Sequence, residues 1–193
     1  MLAFYNWFFP VVWVAFLVYW QIAWQMAAGA KTTTRIEPAL SRVLRTIAFL
    51  VAISLFFIPQ PLVPWLFRRL LPNPLACFWT GAVITVAGLS FAIWARIILG
   101  TNWSRSVTIK QDHELITAGP YRLVRHPIYT GILTGFLGTA AATGQLRGLL
   151  AFALVFLALW CKLRLEESWM RSQFGDVYVN YSRRTAALVP WLL

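Results

Sequence analysis

Residues 119–167 read GPYRLVRHPIYTGILTGFLGTAAATGQLRGLLAFALVFLALWCKLRLEE: a polar block, two apolar runs joined by a turn, then a second polar block. The apolar runs, 128–143 and 146–161, are separated only by Thr143-Gly144-Gln145, so they are expected to form a tight antiparallel helical hairpin. That hairpin carries arginine, histidine and lysine at one end together with the pair Glu166-Glu167. Such groups are expensive at the edge of a hydrocarbon core. Their concentration in two short blocks points to a site rather than to packing.

Working outward, spans of about twenty apolar residues recur at 4–28, 43–65 and 76–99, which with the hairpin makes five. Of 193 residues 60% are hydrophobic, including 11 Trp and 14 Phe, and this places the chain outside the soluble class. The fold class expected is all-α: a polytopic integral membrane protein of about five transmembrane helices. Pro59, Pro61 and Pro64 leave the end of the second span open. The chain divides into three N-terminal membrane helices, 1–99, and a region at 100–193 that carries the polar blocks, the hairpin and an amphipathic tail. In that tail Trp169, Phe174, Tyr178 and Tyr181 recur at roughly helical spacing.

The net charge of +11 does not call for nucleic acid, because the basic residues flank apolar runs. Counted by connection, fourteen Lys and Arg fall on one side of the membrane and three, Arg68, Arg69 and Arg147, on the other. The positive-inside rule then sets the N-terminus outside and both polar blocks on the cytoplasmic side, where they can meet. Cys77 and Cys161 lie in apolar runs without metal-ligand or disulfide spacing, and with two histidines in the chain no metal site is expected. The first apolar run is longer than a signal peptide needs and is read as a retained helix. The long polar connection at 100–127 is of a length usually kept for function.

Within the first block, Pro127 restricts His126 to extended backbone and itself suits a first helical turn. Gly131, Gly135, Gly138 and Ala142 make a smooth stripe along the following helix, suited to close helix packing, to close approach of a cofactor, or to both. In the second block Lys162 and Glu166 share a helix face, while Arg164 and Glu167 point elsewhere. A snorkelling cation with an intrahelical ion pair would explain these charges taken alone; opposite an Arg-His-Pro turn they read better as part of a site.

Arg125-His126-Pro127-Ile128-Tyr129-Thr130-Gly131 and the Glu166-Glu167 pair resemble the isoprenylcysteine carboxyl methyltransferase family. That family lies within the wider group of integral-membrane methyltransferases that includes phospholipid methyltransferases. The lead-in 113–121 and the trailing 174–181 support the resemblance, which covers roughly residues 100–190. It implies a helical membrane methyltransferase that binds S-adenosylmethionine in a cytosol-facing pocket built from the last two spans, the preceding loop and the C-terminal tail. The lipophilic substrate would enter from the bilayer. Carried over by position, His113, Glu114, Leu115, Ile116, Tyr121, His126, Pro127, Ile128 and Tyr129 would line the cofactor, and Glu166, with Glu167 beside it, would hold one of its polar groups. The family's substrate-carboxylate arginine falls at Lys162, a departure, because lysine lacks the bidentate fork. Arg164 is then a compensating cation and Arg125 an electrostatic anchor for either carboxylate.

The chemistry of these residue types agrees. A carboxylate acceptor needs no general base, whereas an amine acceptor would draw on Glu166, Glu167 or His126. Three readings stand at this point: carboxyl O-methylation of a prenylated cysteine or similar lipophilic carboxylate, lipid-amine N-methylation, and a non-catalytic multi-pass membrane protein. The partners expected are membrane lipid and a lipophilic substrate; no oligomeric state is implied.

Overall fold

A computed structural model describes residues 2–27, 33–100, 108–110 and 115–190. Among them the helices are α1 (Leu2–Ala27), α2 (Ala39–Phe57), α3 (Pro74–Leu99), α4 (Pro127–Thr143), α5 (Leu146–Phe174) and α6 (Asp176–Arg184). A short antiparallel ribbon joins β1 (Thr33–Ile36) to β2 (Thr108–Lys110), pairing Thr33 with Lys110 and Ile36 with Thr108. The helices pack in the order α1 on α3, α3 on α4, α4 on α5 and α5 on α2.

Among the described residues, four helices are long and apolar enough to cross a membrane: Trp7–Met26 within α1, then Ala39–Phe57, Pro74–Leu99 and Leu146–Phe174. Their outward faces are apolar; Trp7, Val83 and Leu157 are each more than half exposed. A surface of this kind is solvated by lipid, so the chain is an integral membrane protein. The fourth expected span, α4, has 17 residues, about 25 Å at 1.5 Å per residue, against a hydrocarbon core of about 30 Å. It runs between α3 and α5, and buries ten of its own residues there.

Two boundaries differ from the sequence expectation. Helix α2 ends at Phe57 instead of 65, because Ile58 precedes a proline and turns extended (φ −62°, ψ 133°). Two 3-10 turns, Gln60–Leu62 and Pro64–Phe67, follow. Helix α5 continues past 161 to Phe174, since no Gly or Pro occurs between Gly148 and Gly175. The second polar block therefore sits on the same rigid rod as the apolar span. The expected continuous amphipathic tail breaks at Gly175 (φ 51°) into the end of α5, then α6, then an irregular strap over residues 185–190.

The glycine stripe of α4 faces α3 directly. A Cβ on Gly88 would stand 2.7 Å from the Gly135 amide nitrogen, and one on Gly138 2.5 Å from that of Thr85. Pairing Gly81 with Gly138 and Gly88 with Gly131 makes the two helices antiparallel with their backbones in contact. Thr139 Oγ1 donates to Gly135 O (2.9 Å) and accepts from Trp13 Nε1 (3.0 Å), which ties α1 to the same seam. Helix packing takes up the whole stripe.

Candidate functional site

The two polar blocks meet where the first turn of α4 faces the far end of α5. Gly119 (φ 58°) opens a 3-10 turn, Gly119–Arg122, that buries Tyr121 against α3, its hydroxyl donating to Ala95 O (3.4 Å). A pre-proline residue cannot enter the helix ladder, so its amide needs another partner. The strap supplies it. Val124 bridges Ala186 in parallel, Arg125 N donates to Ala186 O (2.8 Å) and His126 N to Ala187 O (3.0 Å). Thr130 Oγ1 adds a bond to Leu188 O (2.7 Å). The RHP turn is thereby pinned to the strap, though His126 (φ −123°, ψ 59°) falls short of the extended backbone expected before Pro127, because the turn must bend there into α4.

Arg125 lies at the centre of this arrangement. Its Nε and Nη2 both reach Glu167 Oε1 at 2.7 Å, and Nη1 donates to the carbonyls of Ser182 (3.0 Å) and Thr185. Glu167 also accepts from Arg171 Nη2 (3.2 Å) on its other oxygen. It is 4% exposed and saturated with cations. The His126 ring lies between the two carboxylates, Nε2 3.4 Å from Glu167 and Nδ1 3.6 Å from Glu166. Its buried Nε2 makes no hydrogen bond among the described residues.

Glu166 is different. It accepts one short bond from Tyr129 Oη (2.6 Å), while its Oε2 faces His126 beyond hydrogen-bond distance. Lys162 Nζ stands 3.7 Å from Glu166 Oε1 and 5.1 Å from the centre of the Tyr129 ring. The His126 and Tyr129 rings lie parallel, 3° apart in plane with centroids at 5.4 Å. The result is a partly open carboxylate beside stacked aromatic faces and a cation, with a buried ion-paired carboxylate behind it. A carboxylate with a spare oxygen beside π faces suits a ligand that carries positive charge.

Around the site, burial pushes the Tyr181 phenol up to about 12, and burial also raises Tyr121 and Tyr178. All three stay protonated near neutral pH, and Tyr181 donates to Tyr121 O (2.6 Å). Pro127 and Ile128 are buried under the turn. Leu115 and Ile116 are half-buried, Ile116 against the core formed by Tyr121, Leu133, Leu159 and Leu163. His113 and Glu114 lie outside the described residues. Arg164 is exposed and is not brought to the cluster. No group of metal-ligating side chains occurs among the described residues.

Glu167, read from spacing as pointing away, is drawn in because its face of α5 is covered by the RHP turn and the strap. Sequence reasoning missed Arg171, the strap and a second buried pair, Glu37 and Arg45. One signal for that pair was available. Glu37 is the first acidic residue of the chain, the next being Asp112, and a lone carboxylate among basic and apolar residues needs a partner.

The profile of the phospholipid methyltransferase family matches residues 76–177, which include α3, the RHP turn, α4, α5 and the start of α6. Protein-S-isoprenylcysteine O-methyltransferase B of Arabidopsis thaliana is 29% identical over 115 residues, covering 58% of either chain. Methanethiol S-methyltransferase 1 of Bradyrhizobium diazoefficiens is 38% identical over 123 residues, 56% of this chain and 42% of that one. Among solved structures, the eukaryotic intramembrane Ras methyltransferase ICMT (isoprenylcysteine carboxyl methyltransferase) superposes with a TM-score of 0.56 at 25% identity, over 76% of this chain and 52% of that one. The chain spans about half the length of the curated relatives it matches.

Proposed function

Because the chain belongs to the phospholipid methyltransferase family, we propose that it is an S-adenosylmethionine-dependent membrane methyltransferase whose acceptor is a lipophilic carboxylate, a prenylated cysteine or a similar amphiphile. The observation that carries this is the cluster at the head of α4. Among the described residues Glu166 keeps one oxygen without a hydrogen bond beside the stacked rings of His126 and Tyr129, at the polar end of an otherwise apolar bundle.

The residues present fit that cofactor. Glu166 suits its amino group, and the faces of His126 and Tyr129 suit its sulfonium and its ring system. Tyr121, Pro127, Ile128, Leu115 and Ile116 supply walls, and His113 and Glu114 belong to the same set by sequence. When bound, S-adenosylmethionine supplies an activated methyl carbon. What remains for the protein is to hold two ligands in line and to exclude water. Glu167, clamped by Arg125, fixes the turn against α5, and the strap closes over it. Lys162 orients the acceptor carboxylate, which needs no base because it already carries the nucleophilic lone pair.

In this reading residues 100–193 carry the methyl transfer, the cluster faces the cytoplasm and the N-terminus lies outside, as the distribution of Lys and Arg supports. The test is product analysis. Protein incubated with methyl-labelled S-adenosylmethionine and N-acetyl-S-farnesylcysteine should yield label that mild base releases, as a methyl ester. Base-stable label on an amine-headed lipid, with none on the carboxylate, would replace this reading by N-methylation.

A further inference from the structure

Beside the cluster, α2 and α5 flank an open groove of about 490 Å³, within the range of about 300–1,000 Å³ typical of small-ligand sites. Leu40, Leu44 and Ala48 line it from α2, and Leu154, Leu157 and Ala158 from α5. Leu40, Leu44 and Leu157 are 69%, 57% and 59% exposed, so its flank is open to lipid. Arg45 and Lys162 are the only charged side chains lining it among the described residues, and their side chains are only 15% and 11% exposed.

The two cations are presented differently. Arg45 is clamped by Glu37, with Nη1 at 2.5 Å and Nη2 at 3.0 Å from separate oxygens, and Ser41 Oγ donates to the same carboxylate at 2.6 Å. Glu37 is 2% exposed, so the fork is held rigidly, and among the described residues Nε–H and the outer N–H bonds are left over. Lys162 lies 3.7 Å from Glu166, beyond hydrogen-bond distance, and so has donors to offer. A rigid fork and a second, largely buried cation at the polar end of an apolar groove complement a single-chain amphiphile with an anionic head.

Resting on the methyltransferase reading, we propose that Arg45 recognises the acceptor. Together with Lys162 it clamps the head-group carboxylate, while the α2–α5 groove takes one apolar chain. Glu37 is the positioning residue that orients Arg45. Both lie outside residues 76–177, the part that matches the family profile. Acceptor choice is therefore set by a helix that the family match does not include, and the lysine at 162 is supplemented by an arginine from α2 rather than by Arg164.

The experiment is calorimetric binding to the full chain in detergent, with N-acetyl-S-farnesylcysteine, its carboxamide, its S-octyl counterpart and S-adenosylmethionine as probes. The parent should prefer the carboxylate to the carboxamide by about tenfold or more, as expected for a charge-assisted fork. Arg45→Lys should reduce that preference by about threefold or more. The paired Glu37→Gln/Arg45→Gln variant, which removes the Arg45 charge together with its clamping carboxylate, should reduce it further, to what Lys162 alone supports. Affinity for S-adenosylmethionine should stay within about twofold in both. Ala158→Phe should weaken the farnesyl probe by about tenfold while sparing the octyl one. A carboxylate preference unchanged in both Arg45 variants, or carboxylate and carboxamide weakened equally, would overturn the role of Arg45. Equal binding of both chain lengths to Ala158→Phe would overturn the groove. Failure of the parent to bind S-adenosylmethionine would instead remove the methyltransferase reading on which this inference rests.

Discussion

Arg125 uses all three guanidinium nitrogens, two on Glu167 and one on carbonyls of the C-terminal segment. Removing it would leave a carboxylate that is 4% exposed with Arg171 as its remaining close cation. Breaking a buried pair on one side costs about 3–5 kcal/mol, so Arg125→Ala should lower the melting temperature in detergent by about 10 °C. Arg125→Lys should lose roughly half as much. A parent-like melting curve for Arg125→Ala would mean that the strap is held by other contacts. Tyr181→Phe removes one hydrogen bond, about 1 kcal/mol. Its phenol is raised from 10.0 to about 12 by burial, so the unfolded chain ionises first. The stability Tyr181 contributes is complete below pH 10 and lost as pH rises to about 12. The loss on raising pH should be smaller in Tyr181→Phe than in the parent when melting is followed across that range. The RHP turn was legible because proline constrains its own neighbour and needs no tertiary information. Glu167 and Arg45 were not, because helical spacing gives an angle around one axis and does not say how many sides of that helix are covered.

At the scale of elements, the seam between α3 and α4 sets where the site sits, since it fixes the start of α4 against the end of α3. Gly88 is the sharpest test. A methyl group there would approach Gly135 N to 2.7 Å and Gly131 O to 2.8 Å, both backbone atoms that cannot turn aside. Gly88→Ala should cost about 1–3 kcal/mol by overpacking, lowering the melting temperature by roughly 5 °C. Val83→Ala, on a lipid-facing position 69% exposed, should leave it nearly unchanged. Equal melting of the two variants would contradict backbone contact along the seam. The five helical segments were readable from their apolar runs, and the hairpin from Gly144. The apolar run of α5 marks only the membrane-spanning part of the helix, which continues beneath the polar block because a helix stops for Gly, Pro or a missing hydrogen-bond partner. The strap could not be read at all. Its β pairing is a single bridge, Val124 to Ala186, and a bridge of single residues has no period to detect.

The whole molecule is a membrane bundle with its polar cluster and its groove at one end. The proposed orientation, with that end in the cytoplasm, rests on fourteen basic residues out of seventeen. In a background of Cys77→Ser and Cys161→Ser, a cysteine at Val177, 65% exposed, should resist a membrane-impermeant maleimide in intact cells and react after permeabilisation. A cysteine at Leu62, 72% exposed, should react from outside. The reverse pattern would invert the topology. The central claim is that the cluster around Glu166 holds a sulfonium cofactor, and calorimetric titration of the purified protein with S-adenosylmethionine, beside Glu166→Gln, tests it most directly. Saturable one-site binding is expected, weakened at least about tenfold in the variant while its melting curve stays close to the parent's. Equal affinity in both proteins, or no binding to well-folded parent, would contradict it.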